Sequence, residues 1–376
     1  MKRPGKPYRF KFSWLILFTW MMACVEPINF DLPPANYQMV VEGMISDQSG
    51  PYTVSLSEAN QVGVDSVVRI PSTSASLTLY DDQGNMESLT ESSPGIYVTN
   101  GLMQGEIGRA YHLRIETAEG KVFESDPDVL HAAGEVEDIR YEYEKRTIVE
   151  TYGEVAADVF NIYVDANAGP EKENYVRWRF TGTYKVETDP KNHYTWYPPY
   201  IPYRNPFPCS GYILTGGAPG GLLVKVGECE CCTCWARHFE KVPQLSDMQL
   251  VSGSQFKNVK VGEVPISNNT FYDKYMVEVE QMGISRQAFD FFKLIRAQKE
   301  GASSLFQPPS GEIRGNIRPV NNNDPVIGLF YAASLKKKTT FIQRSDVPYA
   351  LTPLEYITYP CYDAFDNAST TKPEGW

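Results

Sequence analysis

Gln38-Met39-Val40-Val41-Glu42-Gly43-Met44-Ile45, the turn Asp47-Gln48-Ser49-Gly50-Pro51 and then Tyr52-Thr53-Val54-Ser55-Leu56 decide the fold class. The second run alternates apolar and polar residues, the period-two pattern of a strand with one buried face. β-branched and aromatic residues are frequent in both runs, and turn formers separate them. Ala75-Ser76-Leu77-Thr78-Leu79-Tyr80 alternates in the same way and runs into Asp81-Asp82-Gln83-Gly84-Asn85. Tyr97-Val98, Tyr111–Thr117 and Lys121–Ser125 continue the series. Short strands at this spacing predict an immunoglobulin-like β-sandwich over residues 37–132. The Cys…Trp…Cys signature of true immunoglobulin domains is missing, so the expectation concerns architecture alone.

Asp126-Pro127-Asp128 closes this unit, and a second β-rich domain is expected over residues 133–376. Its strand candidates are Ile139–Tyr143, Phe160–Val164, Tyr175–Thr183, Phe256–Val261, Tyr275–Val279 and Ile327–Ser334. Val176, Trp178 and Phe180 share one face of the third. One helix interrupts them over 285–300. Ser285 is its N-cap, Ala288, Phe291, Phe292 and Ile295 recur at helical spacing, and Gly301 stops it. The aromatic stripe reads as core packing. The chain is thus mainly β: two β-sandwich-like domains, the second carrying one helix and a long Cys-rich insertion.

That insertion spans 189–245 and reads as irregular. Tyr194, Trp196, Tyr197, Tyr200 and Tyr203 crowd its beginning among prolines, and Trp235 stands near its end. Tyr and Trp offer large contact area at low entropy cost, which makes these six a candidate surface for a glycan or peptide ligand or for a protein partner. The competing reading is that they pack over their own domain. Between them lies a cysteine cluster, Cys229, Cys231, Cys232 and Cys234, with Cys209 and Cys361 outside it. Closely spaced thiolates suit a soft metal ion. Only Cys231 and Cys234 form the CxxC spacing, and no clean second pair exists. An even count in an exported chain favours disulfides, in pairings that the sequence leaves open. No metal and no cofactor are expected.

Export is read from the amino terminus. Lys2, Arg3, Lys6, Arg9 and Lys11 precede a short apolar run, Trp14 to Ala23, and Cys24 follows. A basic region, a short apolar region and small residues form a cleaved export signal. Its end resembles a bacterial lipobox, so residues 1–23 are the expected signal peptide. Cys24 is the expected lipidation site, and residues 24–36 form a tether. The acylated Cys24 would hold the protein to the lipid bilayer. Removing those five basic residues from 35 Lys+Arg leaves 30 against 46 Asp+Glu, a formal charge of −16. Such a balance argues against nucleic acid as a partner.

Catalytic patterns are missing: there is no G-x-S-x-G, H-E-x-x-H or P-loop sequence. Asp81-Asp82, and Asp363 with Asp366, read as turn residues rather than acid/base pairs. The polar run Asn321-Asn322-Asn323-Asp324 does not match a calcium loop. No catalytic residue is expected.

Several phrases in order carry a resemblance. They are Cys24, Val41–Asp47 with Gly50–Leu56, Cys231-Cys232-Thr233-Cys234-Trp235, Pro308-Pro309 through Ile313–Ile317, and Gly328–Ser334. Together they resemble the Bacteroidota-type outer-membrane lipoprotein family known as domain of unknown function 4249. Cys229 and Cys232 depart from its usual Cys-x-x-Cys-Trp pattern. The resemblance implies no assigned activity. By the company such proteins keep, it implies an accessory ligand- or partner-binding component of a TonB-dependent outer-membrane uptake system. A structural scaffold of a cell-envelope complex is the alternative, and an unrecognised hydrolase is third.

Overall fold

The structure, a computed structural model, describes residues 38–61, 67–150, 153–170, 175–197, 200–217, 220–246, 251–252, 255–301, 315–352 and 356–376. Cys24 and the residues expected to form the signal peptide and the tether lie outside the described residues. The chain is mainly β, with several sheets and one long helix. Its frame is a single long sheet. Six of its strands are β1 (Gln38–Ser46), β2 (Thr53–Gln61), β3 (Tyr175–Glu187), β4 (Thr233–Phe239), β5 (Lys274–Ile284) and β6 (Val326–Gln343). They lie in the order β4-β3-β5-β6-β1-β2, extended beyond β2 by Ile96–Val98 and Thr90–Ser93 and beyond β4 by Ala368–Ser369.

Strand β6 splices the two halves of this sheet. Val326–Ala333 runs parallel to Met39–Ser46 of β1, and Ser334–Gln343 runs antiparallel to Lys274–Gly283 of β5. Alternation along β6 then sends its side chains to two faces. Phe330 and Ala332 enter a first core with Val41, Ile45, Leu77, Leu113 and Phe123. That core is closed by a short sheet containing Ser76–Asp81, Ala110–Glu116, Val122–Ser125 and Ile317–Pro319. Ile342, on the same face, joins a second core with Trp178, Phe180, Phe160 and Tyr275. A four-stranded sheet of Val136–Glu144, Val159–Asn167, Gln255–Pro265 and Val251–Ser252 closes that one. The architecture is therefore two sandwich-like halves built on one shared sheet.

The break expected after residue 132 does not isolate the first half. Ile317 and Phe330 belong to its core, and Ile317–Pro319 pairs with Phe123–Ser125. The reason is the β1–β6 pairing, which joins segments far apart in the chain. Two glycines let it form. Gly328 sits at φ 141°, and a Cβ there would stand 2.0 Å from the Val41 carbonyl oxygen. Gly315 lies against Gly328 so closely that any side chain would strike its carbonyl. Beside them Asn316 latches Phe330: its Nδ2 donates to the Phe330 carbonyl (2.6 Å), and its Oδ1 accepts from the Phe330 N–H (3.0 Å).

The opposite face of the sheet carries helix α1 (Arg286–Gly301). Ser285 caps it, its Oγ accepting from the Ala288 N–H at 3.1 Å. Ala288 and Phe292 bury against Leu329, Tyr331, Ala333, Met282 and Ile284. The stripe read as packing from sequence is packing. Asp128, in the first half, holds β6 from the other side: its Oδ2 accepts from the Ala332 N–H at 2.8 Å.

The insertion is not irregular. It forms two hairpins, Tyr194–Tyr197 with Ile201–Arg204 and Tyr212–Thr215 with Leu222–Lys225. Both hang from the end of the sheet, between β3 and β4, where their strands pair only with each other.

Candidate functional site

The six cysteines form three disulfides, Cys209–Cys231, Cys229–Cys232 and Cys234–Cys361, with Cα separations of 5.6, 5.7 and 5.7 Å. These separations lie in the ordinary range for the bond. The CxxC spacing of Cys231 and Cys234 is not a bond: each is tied to a cysteine outside the cluster. Among the described residues, no group of three or more His, Cys, Asp or Glu is placed to hold a metal ion.

The bonds fasten the insertion to the chain's C-terminal segment, making one cap. A short helix α2 (Cys361–Ala364) packs on β4 through Cys234 and Ala236. The Cys361 N–H donates to the Cys231 carbonyl (3.0 Å), and the Asp189 N–H donates to the Ile357 carbonyl (2.7 Å). His193, Phe207 and Tyr359 form a three-ring cluster, the Phe207 and Tyr359 centroids lying 4.6 and 4.8 Å from that of His193.

On the first hairpin the register places Tyr194 opposite Arg204 and Trp196 opposite Pro202. Residues two apart on a strand share a face, so these four side chains form one platform. Arg204 braces it, its Nε donating to the Tyr194 hydroxyl at 3.1 Å. Trp196 is 66% exposed, and Tyr200, at the turn, is 84% exposed. Tyr200 has φ 105°, a backbone region costly for an aromatic residue and typical of positions held for function. Tyr356, Tyr359 and Tyr362 add further exposed aromatic surface to the cap.

The six aromatic candidates therefore separate. Tyr194 and Trp196 share one exposed face, and Tyr200 is exposed at the turn of the same hairpin. Tyr203 sits opposite Thr195, on the other face of the hairpin, and is half-buried. The Tyr197 side chain lies outside the described residues. Trp235 stands on β4 against Trp376, ring centroids 6.4 Å apart. The structure also adds Tyr356 and Tyr359, which the sequence offered only as scattered tyrosines.

The family model described as Domain of unknown function (DUF4249) matches residues 25–339. The chain belongs to this family. No curated protein and no solved structure matches it. In this DUF4249 chain two of the phrases that carry the likeness, Val41–Asp47 and Gly328–Ser334, meet as the β1–β6 pair, and Gly315-Asn316 latches them. A third, Cys231–Trp235, contributes one cysteine to each of the three disulfides that hold the cap and the start of β4.

Of the carboxylates read as turn residues, Asp363 lies in α2, and Asp81 holds the turn that follows Ser76–Asp81. Asp81 Oδ1 accepts from the backbone N–H groups of Gln83 (2.9 Å) and Asn85 (2.8 Å). Its Oδ2 accepts from Arg109 Nη2 at 2.8 Å. Burial by itself would raise its pKa; the bonds from Asn85 and Gln83 and the Arg109 charge win and hold it below the ordinary range. Asn321 and Asn322 clasp Val122: Asn321 Oδ1 accepts its N–H (2.7 Å), and Asn322 Nδ2 donates to its carbonyl (3.1 Å).

A second concave feature was not anticipated. A groove of about 1030 Å³ runs between α1 and the β1–β6 part of the sheet. Its inner end is Tyr331, Phe292 and Arg177. The Arg177 guanidinium lies 4.1 Å from the Phe292 ring centroid and pairs with Glu240 at 2.5 Å. Burial pushes the Glu240 carboxyl above its ordinary value in spite of Arg177. Half of the signal was visible in sequence, as the apolar residues Val40 and Met44 on the outward side of β1. The other wall comes from α1, and nothing local joins the two.

Proposed function

We propose that this chain is a lipid-anchored outer-membrane lipoprotein of Bacteroidota type that uses its disulfide-stapled cap as a binding surface. It has no catalytic role in this reading. The partner is a TonB-dependent outer-membrane transporter, and the cap meets that transporter or a glycan or peptide bound for it. The observation that carries the reading is the exposed face of Tyr194 and Trp196, with Tyr200 exposed at the turn, on a hairpin of the insertion that three disulfides cross-link. Aromatic groups held rigid in water bind at low entropic cost and are typical anchors of interfaces. The basic, apolar and Cys24 sequence at the amino terminus supports the anchor.

The test is co-purification from native outer membrane, wild type beside a Tyr194→Ala/Trp196→Ala/Tyr200→Ala variant. Wild type is expected to bring a transporter with it and the triple variant to lose it. Equal recovery by both removes the cap from the interface. Cys24→Ser is expected to lose acylation; membrane partition identical to wild type ends the lipoprotein reading.

A further inference from the structure

We propose that the groove beside α1 is a binding site for an amphipathic anion, a small molecule with one carboxylate on an apolar body. The site is separate from the cap, and the inference does not rest on the reading above.

Shape comes first. The groove is walled on one side by Phe291, Phe292 and Ile295 of α1 and floored on the other by Val40, Met44, Ile327 and Leu329. At about 1030 Å³ it is at the upper end of the range of small-molecule sites. Phe292, Leu329 and Tyr331 are buried at its inner end, while Phe291, Ile295, Val40 and Met44 are only half-buried. An apolar body laid there would remove their remaining surface from water, which favours association.

Charge comes second. Five basic side chains line the groove, Arg69, Arg177, Arg179, Lys241 and Lys299, against two acids, Glu42 and Glu240. The whole chain is acidic, with 46 Asp+Glu against 35 Lys+Arg, so this local excess runs against the average. Three of the basic groups are already compensated. Arg177 pairs with Glu240, Arg179 with Glu280, and Arg69 with Glu42. Lys241 and Lys299 remain at the exposed rim. Lys299 Nζ donates to the Lys241 carbonyl, at 2.8 Å, which brings the two residues together. The inner end is therefore apolar and internally neutral, and the rim carries the two lysines, with Glu300 beside Lys299 turned to the neighbouring concavity that Lys241 also lines. That polarity fits a head group at Lys241 and Lys299 with its apolar body running inward towards Tyr331.

The experiment is titration calorimetry of the full chain with decanoate as probe and decyltrimethylammonium as its cationic counterpart of equal chain length. Decanoate is expected to bind with one-to-one stoichiometry, at least tenfold tighter than the cation. Lys241→Glu/Lys299→Glu is expected to weaken decanoate binding by about tenfold or more, and added salt to weaken it further. Both lysines are exposed, so the variant should melt with wild type. Lys241→Gln/Lys299→Gln gives the same reading, with a smaller loss, should the charge reversal fail to fold. Trp196→Ala on the cap leaves decanoate binding unchanged. Absence of decanoate binding, equal binding of the cation, or unchanged affinity in both lysine variants overturns the proposal.

Discussion

Cys234 of β4 is bonded to Cys361 of α2, 127 residues further along the chain. The bond closes the longest covalent loop in the molecule and pins the C-terminal segment to the edge of the shared sheet. Cys229–Cys232 closes the shortest, with a sequence separation of 3. Cross-links restrict the unfolded chain more as the loop they close grows.

Removing the long bond with Cys234→Ser/Cys361→Ser is therefore expected to cost about 2–4 kcal/mol, and removing the short one with Cys229→Ser/Cys232→Ser about 2 kcal/mol or less. Denaturant melts of the two variants check the order. A larger loss from the short bond contradicts the loop argument. The long-bond variant should also free Trp376 from Trp235, visible as a change in tryptophan emission.

The second core offers a different test. Trp178 is fully buried, and its indole N–H donates to Gln281 Oε1 at 2.9 Å. Gln281 Nε2 in turn donates to the Asn167 carbonyl at 2.8 Å. Gln281 is itself fully buried, so its amide is retained by these two bonds. Gln281→Leu leaves the indole N–H and the Asn167 carbonyl without a partner. Orphaning buried polar groups costs about 1–3 kcal/mol. A loss in that range is expected by thermal or denaturant melting, and a variant as stable as wild type places water or another partner on the indole.

Gly328→Ala probes the splice between the two halves. The native φ of 141° is a region that residues with a Cβ rarely adopt, and the added methyl meets the Val41 carbonyl. Backbone strain of this kind costs about 1–3 kcal/mol before the clash is counted. The variant is expected to lose at least about 2 kcal/mol, with hydrogen-exchange protection falling first in β1 and in Val326–Ala333. Glycine at position 84, where a Cβ would have open space, is the control for substitution at positive φ alone.

What the sequence disclosed follows the range of the forces involved. Alternation at Tyr52–Leu56 and at Ala75–Tyr80, and helical spacing from Ala288 to Ile295, are local signals, and the elements stand where they predict. The parallel partner of β1 is set by no local pattern, so the shared sheet and the contribution of Ile317 and Phe330 to the first core were hidden. The second half of β6 was hidden for another reason. Lys336, Lys337 and Lys338 break its apolar alternation, and the strand persists because its partner β5 supplies acids, with Lys337 paired to Glu278 at 2.5 Å. The cysteine bonds were legible as a class and not as pairs. Cys229–Cys232 and Cys231–Cys234 have the same spacing, and only the fold shows that Cys231 and Cys234 are tied to Cys209 and Cys361 instead. Tyr194 and Trp196 were legible as candidates. Their separation from Tyr203 needed the hairpin register.

The last prediction concerns pH. Glu144 accepts from Arg146 through both carboxylate oxygens, at 2.9 and 3.0 Å, and from Asn161 Nδ2 at 2.5 Å. Arg146 also reaches Glu263, at 2.8 and 3.0 Å. The Arg146 guanidinium, followed by the Asn161 amide, lowers the Glu144 carboxyl from 4.5 to about 2. A carboxyl whose folded pKa is depressed adds stability that is complete above its unfolded value. That contribution drains away as pH falls from about 4.5 towards 2. Carboxyl-carbon NMR is expected to find Glu144 still ionised at about pH 3, well below the usual range for Glu. Arg146→Gln removes the charge and is expected to move the midpoint up towards 4.5, flattening the acid limb of the stability profile. Titration of wild-type Glu144 near 4.5 would show that the Glu144–Arg146–Glu263 network is open in solution.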